Sequence, residues 1–143
     1  MTMREILYRG KRLDIGEWEE GSLVKTVDSL YGTEIYSIVH QTITSTGMLT
    51  PFHTWYAVIP ETVGQYTGMT DKNGKRIFEG DVFLHNNKYL YEVIWNDEQK
   101  GFYASGIDFV DDDFVGNFYE SNIEVIGNIH DNTELIAEVE GNG

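Results

Sequence analysis

The stretch DVFLHNNKYLYEVIWNDEQKGFYASGI, residues 81–107, decides the fold class of this chain. Three runs rich in aromatic and β-branched residues are separated by Asn86-Asn87 and by the polar segment 97–100. Runs of this composition favour strands, and asparagine favours turns because it tolerates left-handed backbone angles. The stretch therefore predicts a tight meander of three β-strands.

The middle run also predicts which side chains face the core. Successive side chains of a strand point to opposite faces, so one face carries Tyr89, Tyr91, Val93 and Trp95 and the other carries Leu90, Glu92, Ile94 and Asn96. Because Glu92 and Asn96 are polar, we expect their face to be the wetter one.

Strand patterns continue towards the N-terminus. Residues 5–13 and 17–24 predict a first hairpin, and residues 34–39 and 53–59 predict two further strands. The Ser/Thr/Gly-rich segment 42–50 between the last two predicts an exposed loop or edge.

Helix signals are few. Pro60 predicts the start of a helical segment, which Gly64 limits to a turn or two. Residues 131–140 predict a short C-terminal helix with Asp131 or Asn132 as its N-cap. The fold class is therefore mainly β, with an N-terminal β subdomain, residues 1–60, and a small barrel-like subdomain, residues 61–143. The pattern leaves open whether these two form one compact unit.

Charge is spread unevenly along the chain, whose net charge is −14. Residues 1–60 carry five Lys or Arg and seven Asp or Glu, whereas residues 61–143 carry five and seventeen. Such an acidic half repels a phosphate backbone, because nucleic-acid binding relies on Lys and Arg displacing counterions. The composition therefore disfavours nucleic-acid binding. The acidic residues serve either to attract a basic partner or to keep the protein soluble.

Composition also excludes several chemistries. With no cysteine in the chain, disulfides, thiolate metal sites and cysteine nucleophiles are excluded. The apolar runs are short, and the first residues lack the apolar centre of a signal peptide. We expect a soluble, cytoplasmic protein without membrane contact.

The glycine-rich segment 64–83 raises three alternatives: a phosphate loop, a calcium loop or a turn. The spacing from Gly68 to Gly74 is one residue too long for a phosphate loop, and Lys75 and Arg76 stand where a calcium loop needs an oxygen ligand and glycine. Asn73-Gly74 instead predicts a type I′ hairpin turn. The tip of this hairpin would then carry three basic residues, either for solubility or for binding a partner: Lys72, Lys75 and Arg76.

Candidate catalytic and metal residues are not singled out by the sequence. The four histidines, His40, His53, His85 and His130, lack metal-ligand spacing, although His40 and His53 could face each other across a long hairpin. The Asp111–Asp113 run fits a solvated loop better than a hard cation site. We therefore nominate no catalytic, cofactor-binding or metal residue and no cofactor, and binding residues are unknown.

Three segments resemble one protein family. RGKRLDIGEWEEGSLV at residues 9–24, IPETVGQYTGMTDKNGKRIFEGDVF at 59–83 and EVIGNIHDNTELI at 124–136 are similar to the YopX-like proteins of phages and prophages in Gram-positive bacteria. The resemblance implies an all-β protein whose C-terminal part resembles a Src-homology-3-like barrel, without an established activity or agreed catalytic residues. The chain departs from the family pattern at Ile15, where asparagine is usual.

Two functions follow as expectations. The first is a non-enzymatic phage or prophage accessory protein that binds a host or phage protein, with homo-oligomers left open. The alternative is a nucleic-acid-related role, either DNA binding through the basic segment 1–12 or mimicry of DNA by the acidic C-terminal half.

Overall fold

A computed structural model of the protein describes residues 3–43, 47 and 49–136, and the side chains within these ranges apart from 41–43 and 49–52. The chain forms two compact units, Met1–Gln65 and Tyr66–Gly143. In the described residues, no helix has the length and apolar character needed to cross a membrane.

The first unit is an antiparallel sheet. Its strands are β1 (Tyr8–Lys11), β2 (Trp18–Val27), β3 (Glu34–Ile43), β4 (Leu49–Ala57) and the first two residues of β5 (Gly64–Thr70). They pair in the order β4-β3-β2-β1-β5. A 3-10 turn at Pro60–Thr62 precedes β5, where the sequence predicts a helical turn.

Close backbone packing in the first unit requires glycine at one position of β1. Ile38 and Val58 are fully buried, and a Cβ atom added to Gly10 would lie 2.9 Å from the Cβ of Val58. Any larger residue at this position would push the two segments apart. An isolated bridge from Arg12 to Val58 joins them.

The second unit is a five-stranded antiparallel sheet with an additional hairpin. The strands are β6 (Arg76–Phe78), β7 (Asp81–His85), β8 (Tyr89–Asn96), β9 (Gly101–Gly106), β10 (Asp112–Phe114) and β11 (Ile123–Asn128). The remainder of β5 pairs with β6, and the larger sheet has the order β10-β9-β8-β7-β11. Two 3-10 turns, Val115–Asn117 and Glu120–Asn122, connect β10 to β11.

The core of the second unit lies on one face of this sheet. It consists of Ile77, Phe83, Tyr91, Val93, Ala104, Phe118, Ile123 and Val125. Tyr91 and Val93 are buried, as the alternation predicts, whereas Tyr89 and Trp95 at the two ends of β8 are exposed. The ends are exposed because the core does not extend beneath the whole strand.

The prediction of a mainly β fold with a strand meander is confirmed. No sheet closes into a barrel within the described ranges, since β10 and β11 remain the unpaired edges of the larger sheet. Residues 134–136 are helical, which agrees with the predicted C-terminal helix up to Ile136. The rest of that prediction, residues 137–140, and residues 44–46 and 48 of the predicted loop 42–50 lie outside the described residues. Residues 42–43 and 49–50 of that loop instead belong to β3 and to β4, an edge strand of its sheet.

The predicted type I′ turn at Asn73-Gly74 is wrong. Gly74 has the expected positive φ, +81°, but Asn73 does not. The N–H of Gly74 donates to the carbonyl of Asp71 and the N–H of Asp71 donates to that of Lys75. This is a three-residue hairpin loop that ends in a left-handed glycine. Both residues of Asn86-Asn87, by contrast, have positive φ.

Candidate binding groove

A groove of about 400 Å³ lies on the second unit where three loops meet. His85 at the end of β7 and Asn86 in the turn after it line the groove, and the β9–β10 connection and β10 contribute Asp111 and Asp113. The chain that joins β10 to β11 contributes Asn117, Phe118, Tyr119 and Asn122, and Tyr91 reaches the groove from β8. We call this set of residues the aromatic–acidic groove.

Aromatic rings form the base of the groove. The ring of Phe118 lies edge-on to His85, with centroids 4.8 Å apart, and edge-on to Tyr91 at 5.1 Å. Phe83 beneath them packs against Tyr91 at 5.4 Å and Phe118 at 5.6 Å. Because these rings belong to the core, the base of the groove is rigid.

One carboxylate is held at this base by a buried phenol. The hydroxyl of Tyr91 donates to Oδ2 of Asp111 at 2.7 Å. Burial, followed by this hydrogen bond and the charge of Asp111, raises the pKa of Tyr91 to about 12. Like any tyrosine the phenol is protonated at neutral pH, and the raised pKa lets it keep donating to Asp111 into the alkaline range.

A second carboxylate is oriented by its own loop. Oδ1 of Asp113 accepts hydrogen bonds from the backbone N–H of Phe114 at 2.8 Å and from Nδ2 of Asn117 at 2.9 Å. Asp113 thus faces the groove in a fixed position, even though the side chain is partly exposed to solvent.

One aromatic ring stands at the rim. Tyr119 is 76% exposed, while its backbone carbonyl accepts the N–H of Asn122 at 2.9 Å. Asn122 in turn accepts the N–H of Asn86 at 3.0 Å. The backbone that carries the exposed ring is therefore anchored to the β7–β8 turn.

The chemistry of the groove suits a positively charged group. Among the described residues that line it are two aspartates and several aromatic rings, but no lysine or arginine. Carboxylates pair with cations, and the exposed ring of Tyr119 offers an aromatic face that attracts them, whereas Tyr91 and Phe118 are buried.

The predicted candidates are distributed over both units. Asp111 and Asp113 of the acidic run lie in the groove, and Asp112 is exposed on β10. His85 is also in the groove. His130 lies in the turn after β11. In the described part of the chain, no three histidines or acidic side chains are grouped so as to hold a metal ion.

The predicted basic tip is partly paired. Nζ of Lys72 lies 2.7 Å from a carboxylate oxygen of Glu124, and the guanidinium of Arg76 lies 5.8 Å from the centre of the Tyr66 ring. These contacts favour a role in stabilising the hairpin.

His40 and His53 do lie on neighbouring strands and line a separate cavity of about 470 Å³ on the first unit. Nε2 of His40 lies 3.3 Å from Glu19, and the exposed ring of Trp55 lies at the same cavity. The wall is mostly apolar, with Leu7, Val24 and Val39.

Sequence reasoning missed the aromatic part of the groove. Phe118 and Tyr119 are adjacent in an irregular segment, where one side chain is buried and the other exposed. Neither a period of two nor a helical period marks such a segment. The signal that could have found them is the Phe-Tyr pair in a short connection, residues 115–122, whose other residues are one Val and Gly, Asn, Glu and Ser.

The chain is similar to known proteins in sequence and in fold. The model of a family described as YopX protein matches residues 8–137. Among solved structures, protein EF1440 from Enterococcus faecalis is similar, with a TM-score of 0.55 over 94% of this chain and 99% of that chain. The two sequences are 20% identical, so this likeness concerns the fold alone. No curated protein matches the chain.

Proposed function

This chain belongs to the YopX family, and from that premise we propose that it is a phage or prophage accessory protein that acts by binding another protein. The partner is a basic protein of the phage or of its bacterial host, met in the host cytoplasm. The resemblance of three segments to YopX-like phage and prophage proteins supports this setting.

The aromatic–acidic groove is the observation that carries the proposal. It joins an exposed tyrosine to two carboxylates whose positions are fixed by hydrogen bonds. Tyrosine, tryptophan and arginine are enriched among the few residues that carry most of the binding energy at protein interfaces. We propose a non-enzymatic role, which the groove supports because its described lining offers a protonated phenol and two hydrogen-bonded carboxylates.

The fold supports this role in a second way. We propose that the second unit is an open relative of the Src-homology-3-like barrel, because four strands form a meander and β11 returns to pair with β7. Small β-domains of this kind bind partners through the loops at one end of the sheet. The groove lies at such a group of loops.

The alternative has two forms, DNA binding through residues 1–12 and mimicry of DNA by the acidic C-terminal half, and the first has less support. Arg9 is 8% exposed and lies 4.6 Å from the centre of the Trp18 ring. Arg12 forms an ion pair with Asp14 at 2.7 Å. Two of the basic residues in this segment are thus engaged within the protein instead of facing a phosphate backbone.

Affinity capture with a matched pair of variants tests the proposal. Tagged wild type, Tyr119→Ala and Tyr31→Ala are incubated with extract from phage-carrying host cells, and bound proteins are identified by mass spectrometry. Tyr31 is the control, because it is 79% exposed and belongs to the first unit.

We expect one basic protein to be retained by wild type and Tyr31→Ala and lost with Tyr119→Ala. Retention of the same protein by all three variants, or recovery of DNA that survives physiological salt, would contradict the proposal.

A further inference from the structure

We propose that the aromatic–acidic groove binds the guanidinium group of an arginine side chain on the partner protein. This inference rests on the proposed function and names the chemical group that the groove recognises. It is carried by the exposed ring of Tyr119 and by the carboxylates of Asp111 and Asp113, above a base of buried aromatic rings.

Charge complementarity sets the sign of the occupant. Residues 61–143 carry seventeen acidic and five basic side chains, and Asp111 and Asp113 face the groove without a neighbouring lysine or arginine in its described lining. An anionic ligand would be repelled here, whereas a cation gains from both carboxylates.

The lining is a poor site for a small hydrated cation. In the described part of the chain, no three histidine, aspartate or glutamate side chains are grouped so as to hold a metal ion. Oδ2 of Asp111 and Oδ1 of Asp113 are also occupied by hydrogen bonds from Tyr91 and Asn117. Each carboxylate keeps its second oxygen as an acceptor, and Oδ2 of Asp111 keeps a lone pair, which suits an organic cation with several N–H donors.

Arginine meets these conditions better than lysine. Its planar guanidinium stacks on aromatic rings, donates to two carboxylates at once and is less strongly hydrated than an ammonium group. The amide side chains of Asn86, Asn117 and Asn122 at the edge of the groove supply further oxygen acceptors. A volume of about 400 Å³ accommodates the guanidinium together with the end of its aliphatic stem.

A nuclear magnetic resonance titration with four small probes tests the inference. The ¹⁵N-labelled full-length protein is titrated with blocked arginine, blocked lysine, blocked citrulline and sodium chloride. Citrulline is the matched probe, because its urea group has the shape of guanidinium without the charge. We expect arginine to shift the amide signals of Asn86, Asn117 and Tyr119 with a millimolar dissociation constant.

The probes and variants separate guanidinium recognition from general attraction. Lysine should bind roughly tenfold more weakly than arginine, and citrulline and salt should leave those signals in place. Asp111→Asn and Tyr119→Ala should each weaken arginine binding by about tenfold. Asp108→Asn should not, although it removes a charge from the same connection between strands.

Equal shifts with arginine and citrulline, equal affinities for arginine and lysine, or binding unchanged in Asp111→Asn would each overturn the inference. The capture experiment keeps this result distinct from the proposed function. If Tyr119→Ala loses the partner while blocked arginine does not bind, the groove binds a protein but not through an arginine.

Discussion

At the residue scale, a buried carboxylate organises the hairpin between β5 and β6. Asp71 is 5% exposed. Its Oδ1 accepts the backbone N–H groups of Asn73 and Lys75, both at 2.9 Å, and its Oδ2 accepts that of Val125 at 3.0 Å. One side chain thus shapes the loop and attaches it to β11. Asp71 is therefore an acidic residue with a structural role inside the fold.

Replacing Asp71 with asparagine tests this role. Asparagine keeps one acceptor oxygen but turns an NH₂ group towards a buried N–H, so we expect a loss of about 1–3 kcal/mol in the free energy of unfolding. Urea denaturation at pH 7 measures the loss. Asp108→Asn, at an exposed position, is the control and should change stability by less than about 0.5 kcal/mol.

The effect of Asp71 should depend on pH. Burial alone would raise the pKa of Asp71, but the backbone N–H groups of Val125, Lys75 and Asn73 outweigh it and hold the pKa below its usual range. Its stabilising contribution is therefore complete above about pH 4 and is lost as the pH falls through the lower, folded-state pKa. A difference between wild type and Asp71→Asn that grew on acidification would contradict this.

Glu92 provides the opposite case. It lies in the middle of β8, and burial raises the pKa of its carboxyl. Because the folded state favours the protonated form, ionisation costs stability as the pH rises above about 4. We expect Glu92→Gln to raise the melting temperature at pH 7 and to have little effect at pH 4.

Glu98→Gln is the control for that experiment, because it removes the same charge from an exposed turn. Thermal denaturation of both variants at the two pH values separates burial from net charge. An equal gain from the two substitutions at pH 7 would show that the burial of Glu92 is irrelevant.

At the element scale, the strands with regular alternation were predictable and the irregular connections were not. Residues 81–107 predict β7, β8 and β9 because apolar runs and turn residues agree there. β10 has three residues and β11 contains a register shift between Val125 and Gly127, so neither offers a clear period. Phe118 and Tyr119 lie in the connection between these two strands, which is why this aromatic part of the groove was missed.

The loop at 72–74 shows how a correct residue can accompany a wrong turn type. Glycine at position 74 does require a left-handed backbone, but the carboxylate of Asp71 binds the loop N–H groups and favours the three-residue form. The Asn73-Gly74 pair is compatible with both turn types. The side chain of Asp71, which lies outside the pair, therefore decides which of the two forms.

Gly74 allows backbone strain to be measured without packing effects. Its φ is +81° and an added Cβ would meet no atom within 4 Å. We expect Gly74→Val to lower the free energy of unfolding by about 1–2 kcal/mol. Gly74→Asn is the matched variant and should lose less, because asparagine tolerates this conformation. Wild-type stability in the valine variant would refute the left-handed assignment.

At the scale of the whole molecule, the charge distribution determines which partners can approach. The chain has a net charge of −14 and a pI near 4.4, and residues 61–143 carry most of the excess. Charges spread over a surface act mainly on the rate of encounter, whereas buried contacts at the centre of a site act on dissociation. The exposed acids and the groove should therefore have separable kinetic effects.

Stopped-flow binding of a fluorescent peptide, with one arginine flanked by lysines, separates them. The lysines of the peptide respond to the electrostatic field of the acidic unit, whereas its arginine enters the groove. The double variant Glu98→Gln/Asp108→Asn should therefore slow association severalfold and leave dissociation unchanged. Tyr119→Ala should instead accelerate dissociation, since it removes a ring that contacts the bound group. Raising the salt concentration should slow association with wild type more than with the double variant. Salt screens the charges of Glu98 and Asp108, which the double variant no longer carries. If the remote charges changed dissociation as much as Tyr119 does, the peptide would be held by the general field of the acidic unit and not by the groove.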